Sequence, residues 1–158
     1  MKRILINILL LNIFILFFHC GFKSIDKSNI NDFTIKEINS TGNNRINFKI
    51  KNSLMLNSIK NSTNILNINI ETKKIKEVKE KNIKNEITKY QITLISEINF
   101  ISTVKNKKTI FNLDAKGDYL VADNYSKTLN NEKRLIDNLV ENLSEKIVSE
   151  INLKLNDI

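Results

Sequence analysis

The chain has 158 residues, with 25 basic against 17 acidic side chains, a net charge of +8, no Pro, no Trp, one His and one Cys. That length suits one domain with a core of ordinary size, and a single thiol excludes an internal disulfide. The basic balance suits anionic partners such as nucleic acid, anionic lipid or phosphorylated glycolipid.

The N-terminus reads Met1-Lys2-Arg3, then an apolar run from Ile4 to Phe18, then Cys20-Gly21. A charged start, a short apolar stretch and a cysteine form the layout of a bacterial lipoprotein signal peptide. At 15 residues, with Asn7 and Asn12 inside it, the run falls short of the roughly 20 residues that span a bilayer. Residues 1–19 are therefore read as a signal peptide, with Cys20 as the lipidated first residue of the mature chain. Phe17-Phe18-His19 are bulkier than the small residues usual at such cleavage sites. An uncleaved signal anchor, or an ordinary signal peptide followed by an incidental cysteine, are the competing readings.

Cleavage would leave 139 residues, 158 less 19, with 23 basic and 17 acidic side chains and a net charge of +6. It would remove His19 and leave Cys20 blocked by lipid. A domain without imidazole or free thiol has no Ser-His-Asp triad, no Cys-His dyad and no histidine-based metal site. Asp and Glu are scattered among lysines, with no pair set apart as in a glycosidase. No enzyme, no metal and no cofactor are expected. An exported location argues against nucleic acid, and the chain-wide excess of Lys, Asn and Ile makes many lysines solvated filler.

Residues 20–32 read as a polar tether and residues 33–158 as a single domain without internal repeats. Phe33 to Ile38 alternates like a strand, and Asn39 to Asn44 reads as a turn rich in N-cap residues. Arg45 to Ile59 is ambiguous: Ile46, Ile50, Leu54 and Met55 fit a helical stripe, whereas Ile46, Phe48 and Ile50 alternate. Its length favours helix. Ile65 to Ile70 is a strand with Leu66, Ile68 and Ile70 on one face. Thr72 to Lys89 carries seven lysines against Glu77, Glu80 and Glu86, and reads either as the edge and tip of a β-hairpin or as a solvated charged ribbon.

Tyr90 to Val104 has the clearest β pattern, with Tyr90, Ile92, Leu94, Ile98, Phe100 and Val104 in one phase. After a polar turn at Lys105–Lys108, a partner strand runs from Ile110 to about Val121, with Phe111, Leu113, Ala115, Tyr119 and Val121 in phase and Gly117 as a bulge. Ile136, Leu139, Val140, Leu143, Ile147, Val148 and Ile151 then mark one stripe of a C-terminal helix, with Asn130, Asn131 and Glu132 at its start. The expected fold is an α+β two-layer sandwich: a mixed sheet of about four strands with two helices on one face.

Several residues carry a resemblance. Cys20-Gly21-Phe22 after the signal, the strand entered through Lys89-Tyr90-Gln91, and Tyr119 to Ser126 flowing through Asn130-Asn131-Glu132 into the last helix resemble the LptE family of lipopolysaccharide-assembly lipoproteins. The resemblance spans essentially the whole mature chain and rests on the order of several short motifs. It implies a palmitoylated outer-membrane lipoprotein on the periplasmic side, seated as plug and assembly partner inside an LptD-like β-barrel and binding lipopolysaccharide through lipid A phosphates. By its pattern of basic residues before the Tyr-bearing strand and before the last helix, Lys81, Lys84 and Lys127 become the candidate lipopolysaccharide contacts. Lysines are point charges that suit phosphate without demanding a fixed angle. Tyr90 and Tyr119 belong to the core by phase, which leaves Tyr125 as the candidate partner-interface aromatic. The rival reading, from a different class, is an accessory periplasmic lipoprotein of an ABC-type transport system.

Overall fold

The computed structural model describes residues 33–104 and 106–156; the signal peptide, Cys20 and the tether lie outside the described residues. The chain runs β1 (Thr34–Gly42), α1 (Asn44–Asn57), β2 (Ile65–Lys81), β3 (Ile87–Ser102), β4 (Lys107–Leu120) and α2 (Tyr125–Asn156). The sheet order is β1-β2-β3-β4. β1 lies parallel to β2 through the α1 crossover, while β2-β3 and β3-β4 are antiparallel neighbours. This is the α+β sandwich that the residue pattern implies.

One core joins the layers. Leu66, Ile68 and Ile70 of β2, Ile92, Leu94, Ile98 and Phe100 of β3, and Ala115 and Tyr119 of β4 all lie on the helix side. Ile46, Ile50 and Leu54 of α1 and Leu143, Ile147 and Ile151 of α2 pack down on them. Alternate positions, including Asn67, Glu71, Lys73, Gln91, Glu97, Asn99 and Lys116, form the second face. That is the division of an antiparallel sheet with one packed side.

Phe48 is 65% exposed while Ile46 and Ile50 are buried, so residues 45–59 follow the helical stripe and not the alternation. Met55, placed on that stripe by spacing, is half exposed. The expected turn at 39–44 is shorter than its composition suggests. β1 continues to Gly42, and Asn43 caps α1, its Oδ1 accepting the Ile46 N–H at 3.1 Å. Gly42 makes the turn possible. It sits at φ +95°, and a Cβ there would lie 2.2 Å from the Thr72 carbonyl oxygen, so only glycine fits.

β2 runs past Ile70 to Lys81 and pairs with β3, so residues 72–89 form the edge and tip of a β-hairpin, the first of the two readings above. Three further expectations are corrected. Val104 and Val121 fall outside β3 and β4 and are exposed, despite matching their phase. Gly117 is not a bulge: β3 and β4 pair without a register shift, with Ile92 opposite Gly117. Its missing side chain instead makes room for helix α2, since a Cβ would come 2.7 Å from Leu135 Cδ1. α2 also starts seven residues before Glu132. Asn124, not Asn130 or Asn131, supplies the cap, its Oδ1 accepting the Lys127 N–H at 2.8 Å.

Candidate ligand and partner interface

The β2-β3 hairpin projects from one end of the sheet because β1 stops at Gly42, opposite Thr72, while β2 runs on to Lys81. Its tip is knitted by Asn82. The Asn82 Oδ1 accepts from the Lys84 N–H at 3.0 Å and the Glu86 N–H at 2.9 Å, and its Nδ2 donates to Glu86 Oε2 at 2.7 Å. Asn85 takes φ +64°, a conformation asparagine tolerates in tight turns. This ordered tip holds Ile83 fully in solvent beside Lys84. Lys81 is partly engaged, donating to Asn85 Oδ1 at 3.1 Å.

The start of α2 lies at the same end, since Val121 N–H bonds to Thr88 O and α2 begins four residues later. Tyr125 is 77% exposed there. The first turn of α2 contains no acidic residue and does contain Lys127. A cation in this turn adds to the positive end of the helix dipole, which favours an anion from outside. The structure thus brings Lys81, Lys84, Lys127 and Tyr125 to one pole. Ile83, Val121 and Leu129 are exposed there too, so the pole is amphipathic.

Behind this pole sits a cluster that the sequence pattern left unassembled. Lys76 Nζ donates to Glu132 Oε2 at 2.7 Å, Tyr119 OH donates to the same oxygen at 2.9 Å, and Lys74 Nζ stands 3.5 Å from Oε1. The Lys76 ammonium lies 4.4 Å from the Tyr90 ring centre and 5.3 Å from that of Tyr119. The two rings stack with centres 5.6 Å apart. Cation-π contact and a shared carboxylate hold this unit in one arrangement. Burial works to lower the Lys76 pKa, but hydrogen bonds with Glu132 and Tyr119 outweigh it and push the pKa up to about 12. Burial likewise works to raise that of Glu132, and the bonds from Lys76 and Tyr119 overcome it and lower it. Burial is the main reason that the Tyr119 hydroxyl titrates above its usual range.

Next to the cluster, a groove of about 350 Å³ opens between the first turn of α1 and the first half of α2. Arg45, Lys74, Lys133, Leu129, Glu132 and Asp137 line it. Asp137 is paired with Lys49 of α1 and Glu132 with Lys74 and Lys76. Neither Arg45 nor Lys133 has an ion-pair partner among the described residues. Sequence reading passed over both, because a single Arg and a single Lys in a lysine-rich chain carry no local signal. Among the described residues no group of three or more His, Cys, Asp or Glu side chains could hold a metal ion. None of the described helices is long and apolar enough to cross a membrane.

No protein-family model matches this chain, and no curated protein matches it in sequence. Solved structures do match. The rare lipoprotein B from Shewanella oneidensis superimposes with a TM-score of 0.61 at 10% identity, over 77% of this chain and 97% of its own. An uncharacterized lipoprotein B from Nitrosomonas europaea gives 0.60 at 9% identity, over 86% of this chain and 93% of its own. A putative lipoprotein from Caulobacter crescentus gives 0.54 at 7% identity, over 81% and 93%. At such identities the likeness is one of fold. This chain has the α+β fold seen in these bacterial lipoproteins.

Proposed function

We propose that this protein is a non-enzymatic, lipid-anchored lipoprotein of the outer membrane that pairs with an LptD-like β-barrel and binds lipopolysaccharide. The observation that carries the reading is the amphipathic pole. An ordered tip with Ile83 and Lys84 stands beside the exposed Tyr125 and the cation-bearing helix start at Lys127. Lipid A joins phosphates to acyl chains, and a pole that joins lysines to exposed apolar side chains suits that combination. The lipoprotein fold and the Cys20 motif agree with this assignment.

Purification of the tagged full-length chain from envelope membranes tests the partner. A stable one-to-one complex with a large β-barrel supports the proposal; recovery with an inner-membrane ATPase complex and no barrel overturns it in favour of the transport-accessory role. For the ligand, lipid A affinity is expected to fall steeply with salt and to drop in Lys84→Glu and Lys127→Glu. An affinity indifferent to both salt and these changes would remove the lysines from the site.

A further inference from the structure

Where β1 ends, the edge of β2 becomes free. The Thr72 carbonyl accepts the Asn43 N–H at 3.2 Å, so the backbone groups of Thr72 face the β1 side. On a strand, successive residues turn their N–H and C=O to opposite sides. Lys74, Lys76 and Val78 therefore face the same way, while Lys73, Ile75 and Glu77 bond across to Ile95, Thr93 and Gln91 of β3. The Thr72-Ser96 hydroxyl contact of 3.0 Å fits this pattern, because side chains come closer at a pair that exchanges no backbone bonds. Among the described residues nothing takes the outward groups of Lys74, Lys76 and Val78. The lane is open because Gly42 sends the chain off into α1.

The groove borders this lane on the helix side, with Lys74 shared between them. A strand laid in the lane would point every second side chain toward it. Within the groove and its bonded neighbours, Arg45, Lys49, Lys74, Lys76 and Lys133 surround only two carboxylates, Glu132 and Asp137. We propose that the free edge of β2 from Lys74 to Val78 is a strand-docking site for an extended acidic segment of a partner protein, with one of its carboxylates entering the groove between Arg45 and Lys133. Added strands gain affinity from main-chain bonds and specificity from side chains in alternate pockets. Edge lysines usually guard against pairing. Here the guard works against a second copy of this basic edge but attracts an acidic strand. The site adjoins the glycolipid pole, with Leu129 common to both, but it does not depend on the glycolipid reading and stands whether or not the partner is a barrel.

The test uses the isotope-labelled full-length chain in detergent and a short peptide alternating Glu and Thr. Binding is expected to slow amide exchange at Lys74, Lys76 and Val78, and the peptide with Lys in place of Glu is expected not to bind. Lys74→Gln removes only charge and keeps most of the affinity. Lys74→Pro also removes an outward donor that the sheet does not use, and weakens binding about fivefold or more beyond Lys74→Gln. Arg45→Glu with Lys133→Glu abolishes it. Equal affinity for a peptide N-methylated at alternate amides would overturn the proposal, and that result does not depend on any variant folding. So would protection confined to the hairpin tip or the second sheet face, or protection of the same amides by self-association without peptide.

Discussion

Glu132 joins the first half of α2 to the sheet, since one carboxylate receives Lys76, Tyr119 and Lys74 from two strands. Its pKa is lowered in the fold, so its contribution to stability is present above its ordinary 4.5 and is lost as pH falls through the lower folded value. Lys76, raised to about 12, contributes below its ordinary 10.5 and loses that contribution as pH rises through about 12. Glu132→Gln is expected to lower stability at neutral pH by about 1 kcal/mol, a value kept small because the lysine side chains are about one-third exposed. The deficit should shrink as pH falls below 4.5 toward the lower folded value, through which the parent loses the same charge. Denaturant titrations across pH would measure this, and a deficit that stayed constant into acid would rule out the charge as its source. Little of the cluster was legible in the sequence. Lys76 is one lysine among seven in its stretch, and its carboxylate partner is 56 residues away. The tyrosines were readable only as core, which the burial of Tyr119 bears out.

The elements were legible wherever one face meets the core and illegible where it does not. Ile92, Leu94, Ile98 and Phe100 alternate because each alternate side chain is buried under helix α2 or α1. β2 beyond Thr72 has no such cover, so its register is held by β3 pairing and its composition turns to lysine; nothing in residues 73–81 distinguishes strand from ribbon. The first turns of α2 hide for the same reason, since the apolar stripe begins only at Leu135. Gly117 misled in a different way. Glycine in a strand signals either a bulge or a close approach, and the deciding neighbour, Leu135, lies on another element. Gly117→Ala meets only the movable end of Leu135, so its effect is expected to stay within about 1 kcal/mol. Gly117→Leu must lift α2 from β4 and should cost about 1–3 kcal/mol. If the leucine variant unfolds at the same denaturant concentration as the alanine one, α2 is not seated on Gly117 as described.

At the scale of the whole molecule, the described chain enters the sheet at one end and presents its basic pole at the other. Thr34 pairs with Ile65 at the start of β2, while the hairpin tip follows Lys81 at its end. A strand of 17 residues separates the two by roughly 55 Å. If Cys20 carries lipid, the tether joins the described chain at Phe33, at the end of the sheet opposite the hairpin tip. Mass spectrometry of the mature N-terminus is expected to find a lipid-modified Cys20; an intact Met1 to His19 would reject the anchor and leave the fold untouched. That anchor could not have been judged from the folded domain, because it is written in residues 1–20 and depends on processing rather than packing.

The parallel pairing of β1 with β2 has a mechanical consequence. When the hairpin end is held and the chain before Phe33 is pulled, β1 and β2 are drawn in opposite directions along their common axis. Every rung of that ladder then bears load together, in shear, whereas an antiparallel first strand would have opened one bond at a time. The first strand of the described chain is thus the one arranged to resist tension along the molecule.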